Sequence, residues 1–392
     1  MEFRSAFPFA LLLGCVIGAA AADGDGKQDR APRSRGLVAE AAASTLPARW
    51  DIPVVRNAPV ERFIGIFTGR QQDRMALYLK RSGRYEGMIR AKLRAKGMPE
   101  DLLYLSMIES GFNPTARSKA SAVGLWQFIS DTGRRYGLRV DGYVDERRHP
   151  EKSTDAALRY LTDLHGQFGS WYLAAAAYNT GENRVARVMR EQTGRQKGRD
   201  ADFWRIRHRL PAETREYVPL MVAAALIGKE PHKHGFSGVR RWLPLETGEV
   251  QVPAATRLAT VAKAVGVSEK ELKRLNPHLV QGMTPPGGKP FPVRVPQGRE
   301  EMYAANFPRL QAEARALAAA EAKERAEVQA RERRAAEARR AAAVRRHTVR
   351  RGESLWTIAR RYDTSVRAVQ RANGLGARSR IRPGQKLTIP RS

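Results

Sequence analysis

One cysteine, Cys15, stands in 392 residues, so no intramolecular disulfide framework is available. Carboxylates are scarce beside cations: 40 Asp and Glu face 70 Lys and Arg, a formal net charge of +30. That excess points to an anionic partner or surface (nucleic acid, a lipid headgroup layer or an acidic wall polymer), and charge alone does not choose among them. Outside the N-terminus no segment is apolar enough to span a membrane. No strand pattern interrupts residues 60–230, which argues for an all-helical domain there. Apolar residues as such are not scarce. They make up 42 % of the chain, enough for a sizeable core in two or three domains.

The N-terminal exception is an apolar run over residues 7–22, preceded by Arg4 and followed by Asp23-Gly24-Asp25-Gly26. Its length and flanks fit a secretory signal peptide over 1–22, with Ala20-Ala21-Ala22 as the cleavage site. The alternative is a lipoprotein signal, in which Leu12-Leu13-Gly14-Cys15 directs a lipid onto Cys15 and the N-terminus associates with a membrane. Both put the mature chain in the periplasm or cell envelope, which counts against nucleic acid as a partner.

Residues 23–60 are rich in Ala, Arg, Gly and Pro and read as a disordered leader. Helical spacing begins at Val60 with Phe63, Ile64 and Phe67, and opens a domain over 61–235. Met98-Pro99-Glu100-Asp101 starts a further helix, with Pro and two acids in its first turn. It stops at Gly111, a left-handed cap, before Asn113-Pro114. Helices are also signalled over 154–168, 171–178, 182–191 and 213–228.

After Pro231 the chain changes character, and a repeat appears. Leu258, Thr260, Val261, Ala262, Ser268, Leu272 and Asn276 precede Leu355, Thr357, Ile358, Ala359, Ser365, Val369 and Asn373 at one constant offset. Both copies, 248–298 and 347–391, read strand, helix, helix, strand. Between them, 301–346 is mostly Ala, Arg, Glu and Gln. It favours helix but has no apolar stripe, so a charged helical linker is expected rather than a packed element.

Cleaving a glycosidic bond needs an acid that is still protonated near neutral pH. Glu109 suits that role, because its helix is apolar (Leu102, Leu103, Tyr104, Leu105, Met107, Ile108) and the residue sits at the negative end of the helix dipole. Taken alone, a Glu in a last helical turn is an ordinary surface residue. No second acid follows closely; the next are Asp131 and Asp141.

Four separated blocks alter that reading. They are Glu109-Ser110-Gly111-Phe112-Asn113-Pro114 with Ser118; Gly124-Leu125-Trp126-Gln127-Phe128 with Thr132-Gly133 and Tyr136-Gly137-Leu138; Ala177-Tyr178-Asn179-Thr180-Gly181-Glu182; and Leu210-Pro211-Ala212-Glu213-Thr214 with Tyr217-Val218-Pro219. Together they make residues 85–230 resemble the catalytic domain of family 1 lytic transglycosylases of the membrane-bound D type. The resemblance implies a lysozyme-like helical fold that cleaves the MurNAc–GlcNAc bond of peptidoglycan without adding water. It implies that Glu109 acts first as acid and then as base, so a carboxylate pair is not required. It places Ser110, Ser118, Gln127, Tyr178, Asn179 and Tyr217 along the cleft, with Tyr217 best suited to orient Glu109. No cofactor or metal is expected. Trp126 and Tyr178 fit core or ligand roles alike; Phe112 and Phe128 read as core. The chain departs from the family pattern at Ser121, where relatives carry Gly, at Ser130 in place of Pro, and at Asn183 in place of Gly. All three concern loop geometry rather than a reacting group.

His347-Thr348-Val349-Arg350-Arg351-Gly352-Glu353-Ser354-Leu355-Trp356-Thr357-Ile358-Ala359, with Asn373, Ile381-Arg382-Pro383-Gly384-Gln385-Lys386-Leu387 and Ile389-Pro390, resembles a LysM domain. LysM modules have a βααβ fold and bind N-acetylglucosamine polymers. The resemblance puts the groove between Gly352, Ser354 and Leu355 on one side and Ile381, Pro383 and Gly384 on the other. Leu355, Ile358, Ala359 and Val369 also read as core. The earlier copy has Ala254-Ala255-Thr256-Arg257 at its first loop and resembles a degenerate LysM. A structural role against the catalytic domain is as good a reading for it as sugar binding.

The expected fold is therefore mainly α: a lysozyme-like domain, a degenerate LysM-like α+β module, and a C-terminal βααβ LysM domain. The expected function is an exported peptidoglycan lytic transglycosylase whose partner is the GlcNAc/MurNAc glycan strand. The alternatives are a muramidase hydrolysing the same bond and a non-catalytic wall-binding scaffold. The sequence leaves the oligomeric state open.

Overall fold

The structure is a computed structural model that describes residues 50–342, 344–376 and 380–390. The expected signal peptide, Cys15 and the leader up to residue 49 lie outside the described residues. Two compact units meet at Pro308 and Arg309.

Among its described residues the first unit begins with nine α-helices. They are α1 (Ala58–Thr68), α2 (Gln72–Ala95), α3 (Leu103–Ser110), α4 (Ser130–Arg135), α5 (Pro150–Phe168), α6 (Trp171–Thr180), α7 (Glu182–Thr193), α8 (Asp200–Ile206) and α9 (Ala212–Lys229). Local chemistry sets their ends. Asn57 caps α1 by accepting from the Val60 N–H at 3.2 Å, and Ser170 caps α6 by accepting from Leu173 at 3.2 Å. α5 starts on Pro150, whose missing N–H would have had no helical partner anyway.

Helix α9 is apolar on nearly every side and is packed around by α1, α3 and α6. Pro219 lies inside it and cannot donate to the Arg215 carbonyl. The Arg207 guanidinium takes that carbonyl instead, at 3.4 Å. The core runs from Val60 and Phe63 through Trp126, Leu161 and Tyr172 to Ile227. It also reaches Ile52, so residues 50–57 depart from the disordered leader expected up to residue 60. Ile52 is buried, and Asp51 and Asp101 exchange contacts with the opposite segment: the Asp51 N–H donates to Asp101 at 3.0 Å and the Glu100 N–H to Asp51 at 2.9 Å.

Between α3 and α4 the chain forms a short hairpin. The Val123 N–H donates to the Phe128 carbonyl at 3.0 Å and the Phe128 N–H to Val123 at 3.2 Å. Gly124 lies inside this turn, and a Cβ there would fall 1.8 Å from the Arg147 carbonyl oxygen, so only glycine fits. Ser121 has φ 61 and Gln127 has φ 49, both left-handed. Ser130 begins α4, and Asn183 sits in the first turn of α7 without any left-handed demand.

A two-stranded antiparallel module follows, with β1 (Thr247–Val252), α10 (Leu258–Val265), α11 (Glu269–Leu275) and β2 (Phe291–Pro296). Asn276 ties α11 to β2, donating to the Leu272 and Arg294 carbonyls at 3.0 and 2.7 Å and accepting from the Arg294 N–H at 2.8 Å. Helix α12 (Glu300–Ala342) then leaves the module. Its first turns are packed, contrary to the unpacked linker expected from residue 301. Tyr303 and Phe307 are buried, the Tyr303 hydroxyl donates to the Gln251 carbonyl at 3.1 Å, and Asn306 donates to Ala264 at 3.1 Å. Past Arg309 its described residues are almost all exposed.

The second unit ends in β3 (Val344–Thr348), α13 (Leu355–Arg361), α14 (Val366–Ala372) and β4 (Lys386–Pro390), with β3 antiparallel to β4. Its small core is Val349, Ile358, Ala359, Val369, Leu387 and Ile389. Asn373 repeats the work of Asn276: it donates to Val369 and Thr388 at 2.7 Å each and accepts from the Thr388 N–H at 2.7 Å. This is the physical meaning of the matched asparagines in the repeat.

An L-residue held left-handed costs about 1–2 kcal/mol. Ser121 is exposed, and its side chain makes one long contact, from Arg117 at 3.4 Å. Ser121→Gly should therefore raise unfolding stability by up to about 1 kcal/mol, read as a higher Tm; an unchanged or lower Tm would contradict strain at this turn.

Candidate active site

Glu109 occupies the last turn of α3, whose other residues are almost all buried. Gly111 ends the helix at φ 58, and a Cβ there would meet the Tyr78 ring at 2.0 Å. Phe112 continues left-handed at φ 56 and is fully buried. Glu109 itself is partly exposed, with protein packed around its carboxyl. Burial pushes its pKa up from the usual carboxylate range to about 8. A hydrogen bond from Tyr217 opposes the rise, and the nearby charge of Glu213 adds to it.

The Tyr217 hydroxyl donates to Glu109 Oε1 at 2.5 Å, from α9 across to α3. Burial raises the Tyr217 and Tyr178 hydroxyls well above the ordinary tyrosine value, and the charge of Glu109 raises both further. Both phenols therefore stay neutral donors. The arrangement is a carboxylic acid that stays protonated near pH 7 beside a donor that can steady its anion.

The other expected residues divide by position. Tyr178 lies on α6 beside Glu109, but its hydroxyl is committed to the Trp126 carbonyl at 2.8 Å. Asn179 stands next to it, donating to Glu213 Oε1 at 3.2 Å and accepting from the Thr214 hydroxyl at 2.8 Å. Gln127 is buried, its Nε2 donating to the Gly124 carbonyl at 2.9 Å and to Ala116 at 3.3 Å, while its Oε1 is buried with no protein partner. Ser110 is turned inward: its hydroxyl donates to the Leu125 carbonyl at 2.9 Å, beside Ser106 at 3.1 Å. That binds the 124–128 turn to the helix of Glu109. Ser118 accepts from the Ala122 N–H at 3.0 Å at the mouth of the hairpin. Trp126 is core, with its indole N–H on the Thr154 hydroxyl at 2.9 Å, and Phe112 and Phe128 are core as well.

The acid nearest in effect was missed. Asp131 is an exposed partner of Arg134, and Asp141 caps its own turn through the Tyr143 and Val144 N–H groups. Glu213, not these, raises the pKa of Glu109. Its only signal in the sequence was its place in the Leu210-Pro211-Ala212-Glu213-Thr214 block.

In the C-terminal module Gly352 (φ 87), Ser354, Pro383 and Gly384 are exposed, and Leu355 and Ile381 are half-buried against the core. Ser354 caps α13 by accepting from Thr357 at 3.2 Å. The two loops meet through the Gly384 N–H on the Val349 carbonyl at 2.8 Å and the Val349 N–H on Gln385 at 2.9 Å. Sequence reasoning passed over Trp356, which is 60 % exposed beside Ser354, with the Arg360 guanidinium 5.4 Å from its ring centre. Among the described residues no group of His, Cys, Asp and Glu is arranged to hold a metal ion.

A model of the transglycosylase SLT domain matches residues 87–200, and a model of the LysM domain matches 347–390. A model of the LysM-like domain of lytic transglycosylase MltD matches 246–312, which takes in the packed start of α12. The chain is 31 % identical over 400 residues to the membrane-bound lytic murein transglycosylase D of Escherichia coli strain K12, covering 97 % of this chain and 82 % of that one. It is 41 % identical over 110 residues to the peptidoglycan transglycosylase gp16 of Escherichia phage T7, covering 27 % of this chain and 8 % of that one. The lytic transglycosylase Slt of Pseudomonas aeruginosa overlaps 37 % of this chain and 24 % of its own at 26 % identity, with a TM-score of 0.31. By its identity to the enterobacterial relative over nearly its whole length, and by the order of its three domains, the chain belongs to the lytic murein transglycosylase D family and is a peptidoglycan lytic transglycosylase with LysM domains.

Proposed function

We propose that Glu109 carries the whole acid–base chemistry of cleavage at the MurNAc-(1,4)-GlcNAc bond. The supporting observation is a carboxyl with its pKa pushed up to about 8 and in hydrogen-bond contact with Tyr217. The protonated carboxyl gives its proton to the glycosidic oxygen as the bond from that oxygen to C1 of the muramoyl sugar breaks. The carboxylate that remains is held by the Tyr217 hydroxyl. It takes the proton of the C6 hydroxyl as O6 attacks C1, closing a 1,6-anhydro ring and returning Glu109 to its acid form. No water enters the balance.

Gln127, Tyr178 and Asn179 shape the wall of the cleft in this reading, and Ser110 acts by fixing the 124–128 turn. Ser118 stands at the hairpin mouth. Gly352, Ser354, Leu355, Ile381, Pro383 and Gly384 bind glycan in the C-terminal module. The chain works in the envelope, exported by the 7–22 run. Lipid on Cys15 is the alternative to cleavage after that run, and labelling with palmitate separates the two.

Digestion of purified sacculi with product analysis by mass tests the reaction. Anhydro-muropeptides are expected; reducing ends would contradict the internal attack. Glu109→Gln should bind sacculi and cleave nothing measurable, and cleavage retained there would remove Glu109 from the mechanism. The acid must be protonated to act, so kcat/KM should fall as pH rises through about 8. Tyr217→Phe removes the bond that lowers this pKa, so it should move that limb to higher pH. In the same assay, a chain lacking 347–390 should lose retention on sacculi more than turnover of short soluble glycans.

A further inference from the structure

The LysM-like module is docked on the catalytic domain along one seam. The Asp145 N–H donates to the His278 carbonyl at 2.9 Å and the Val280 N–H to Tyr143 at 3.0 Å. Gln281 donates to the Gly142 carbonyl at 3.1 Å, and Arg294 pairs with Glu151 at 2.6 Å. The rings of His149 and His278 pack 4.7 Å apart across the seam. Thr256 and Leu258 of this module, which match Glu353 and Leu355 of the C-terminal copy, are bonded across to the return loop, whereas the C-terminal loops meet at Val349. The Thr256 N–H donates to the Thr284 hydroxyl at 2.9 Å, Thr284 returns an N–H to the Thr256 carbonyl at 2.9 Å, and the Leu258 N–H reaches Gly282 at 2.8 Å.

A line of contacts runs from the seam into the active site. The Asp145 carboxylate grips Arg147 with two bonds, Nε to Oδ1 and NH2 to Oδ2, each 2.8 Å, and both side chains are buried. The remaining arm of the guanidinium donates to the Ser121 and Phe128 carbonyls at 3.1 Å each. Those carbonyls lie at the two ends of the turn that holds Ser121 and Gln127 left-handed. Strained backbone of this kind persists only where its surroundings fix it. The middle of the same turn is bound by Ser106 and Ser110 to the helix of Glu109.

We propose that Arg147 is a positioning residue and that the LysM-like module braces the Gln127 turn through it, rather than gripping glycan. The module fixes the backbone of Asp145, Asp145 orients Arg147, and Arg147 holds the turn against the Glu109 helix. The catalytic consequence rests on the reading of Glu109 and Gln127 above; the bracing itself does not.

The test uses the full chain, with hydrogen exchange followed at the Val123, Gly124 and Phe128 amides and kcat and KM measured on soluble glycan. Arg147→Lys keeps the charge but loses the fork. It should speed exchange at these amides and lower kcat about tenfold or more, with a smaller change in KM, and Arg147→Ala should do both more strongly. Leu279 is buried and bridged to Val144 across the seam, so on the module side Leu279→Asp, like Arg294→Ala, should speed exchange at the same distant amides. Arg294→Ala removes one ion pair at the seam and serves if Leu279→Asp fails to fold. Unchanged exchange at these amides in a folded module-side variant would overturn the brace, whatever the activity. Faster exchange in the Glu109→Gln background as well would show the brace to be independent of the assigned acid.

Discussion

A carboxyl that is to remain protonated in a chain with 70 Lys and Arg has to be kept from cations and from water at once. At Glu109 this is done by packing. The residue ends a helix whose other faces are sunk in the core, and what acts on it is burial, one tyrosine hydroxyl and one nearby carboxylate. Tyr217 has the opposite task. Its short bond to Oε1 lowers the cost of the anion that appears once the proton has left. Burial and Tyr217 together set a carboxyl able to give a proton and take one back, which is what a reaction without a second carboxylate requires.

The rest of the first unit holds that pair in register. Tyr217 stands on α9, which is packed from several sides and ends at the Lys229–Asp101 ion pair, itself buried. Glu109 is fixed by the Gly111 cap against Tyr78 and by the serine bonds to the 124–128 turn. Asn179 links Glu213 to Thr214, so the carboxylate that raises the pKa of Glu109 is placed by α6 as well as by α9.

Much of this was legible in the sequence because the signals were local. The helix stop at Gly111, the apolar face of α3 and the repeat with its matched asparagines can be read from short stretches, and the structure gives each the expected shape. The role of Ser110 was not legible. A serine following the acid suggests a hydroxyl offered to substrate, but the helix turns it toward the Leu125 carbonyl. Glu213 was hidden because its influence depends on α9 lying against α3, a contact between residues about a hundred positions apart. The packed start of α12 was hidden for a similar reason: Tyr303 and Phe307 are too few to make an apolar stripe, and they find their cover on the preceding module. Residues 50–57 read as leader by composition, yet a buried Ile52 and the contacts of Asp51 hold them to the domain.

The account stands on the protonation state of one side chain. A carbon-13 titration of the Glu109 carboxyl in the mature enzyme, assigned by its loss in Glu109→Gln, reads it directly. A midpoint near 8 is the predicted result; a midpoint at the ordinary glutamate value of about 4.3 would contradict the account.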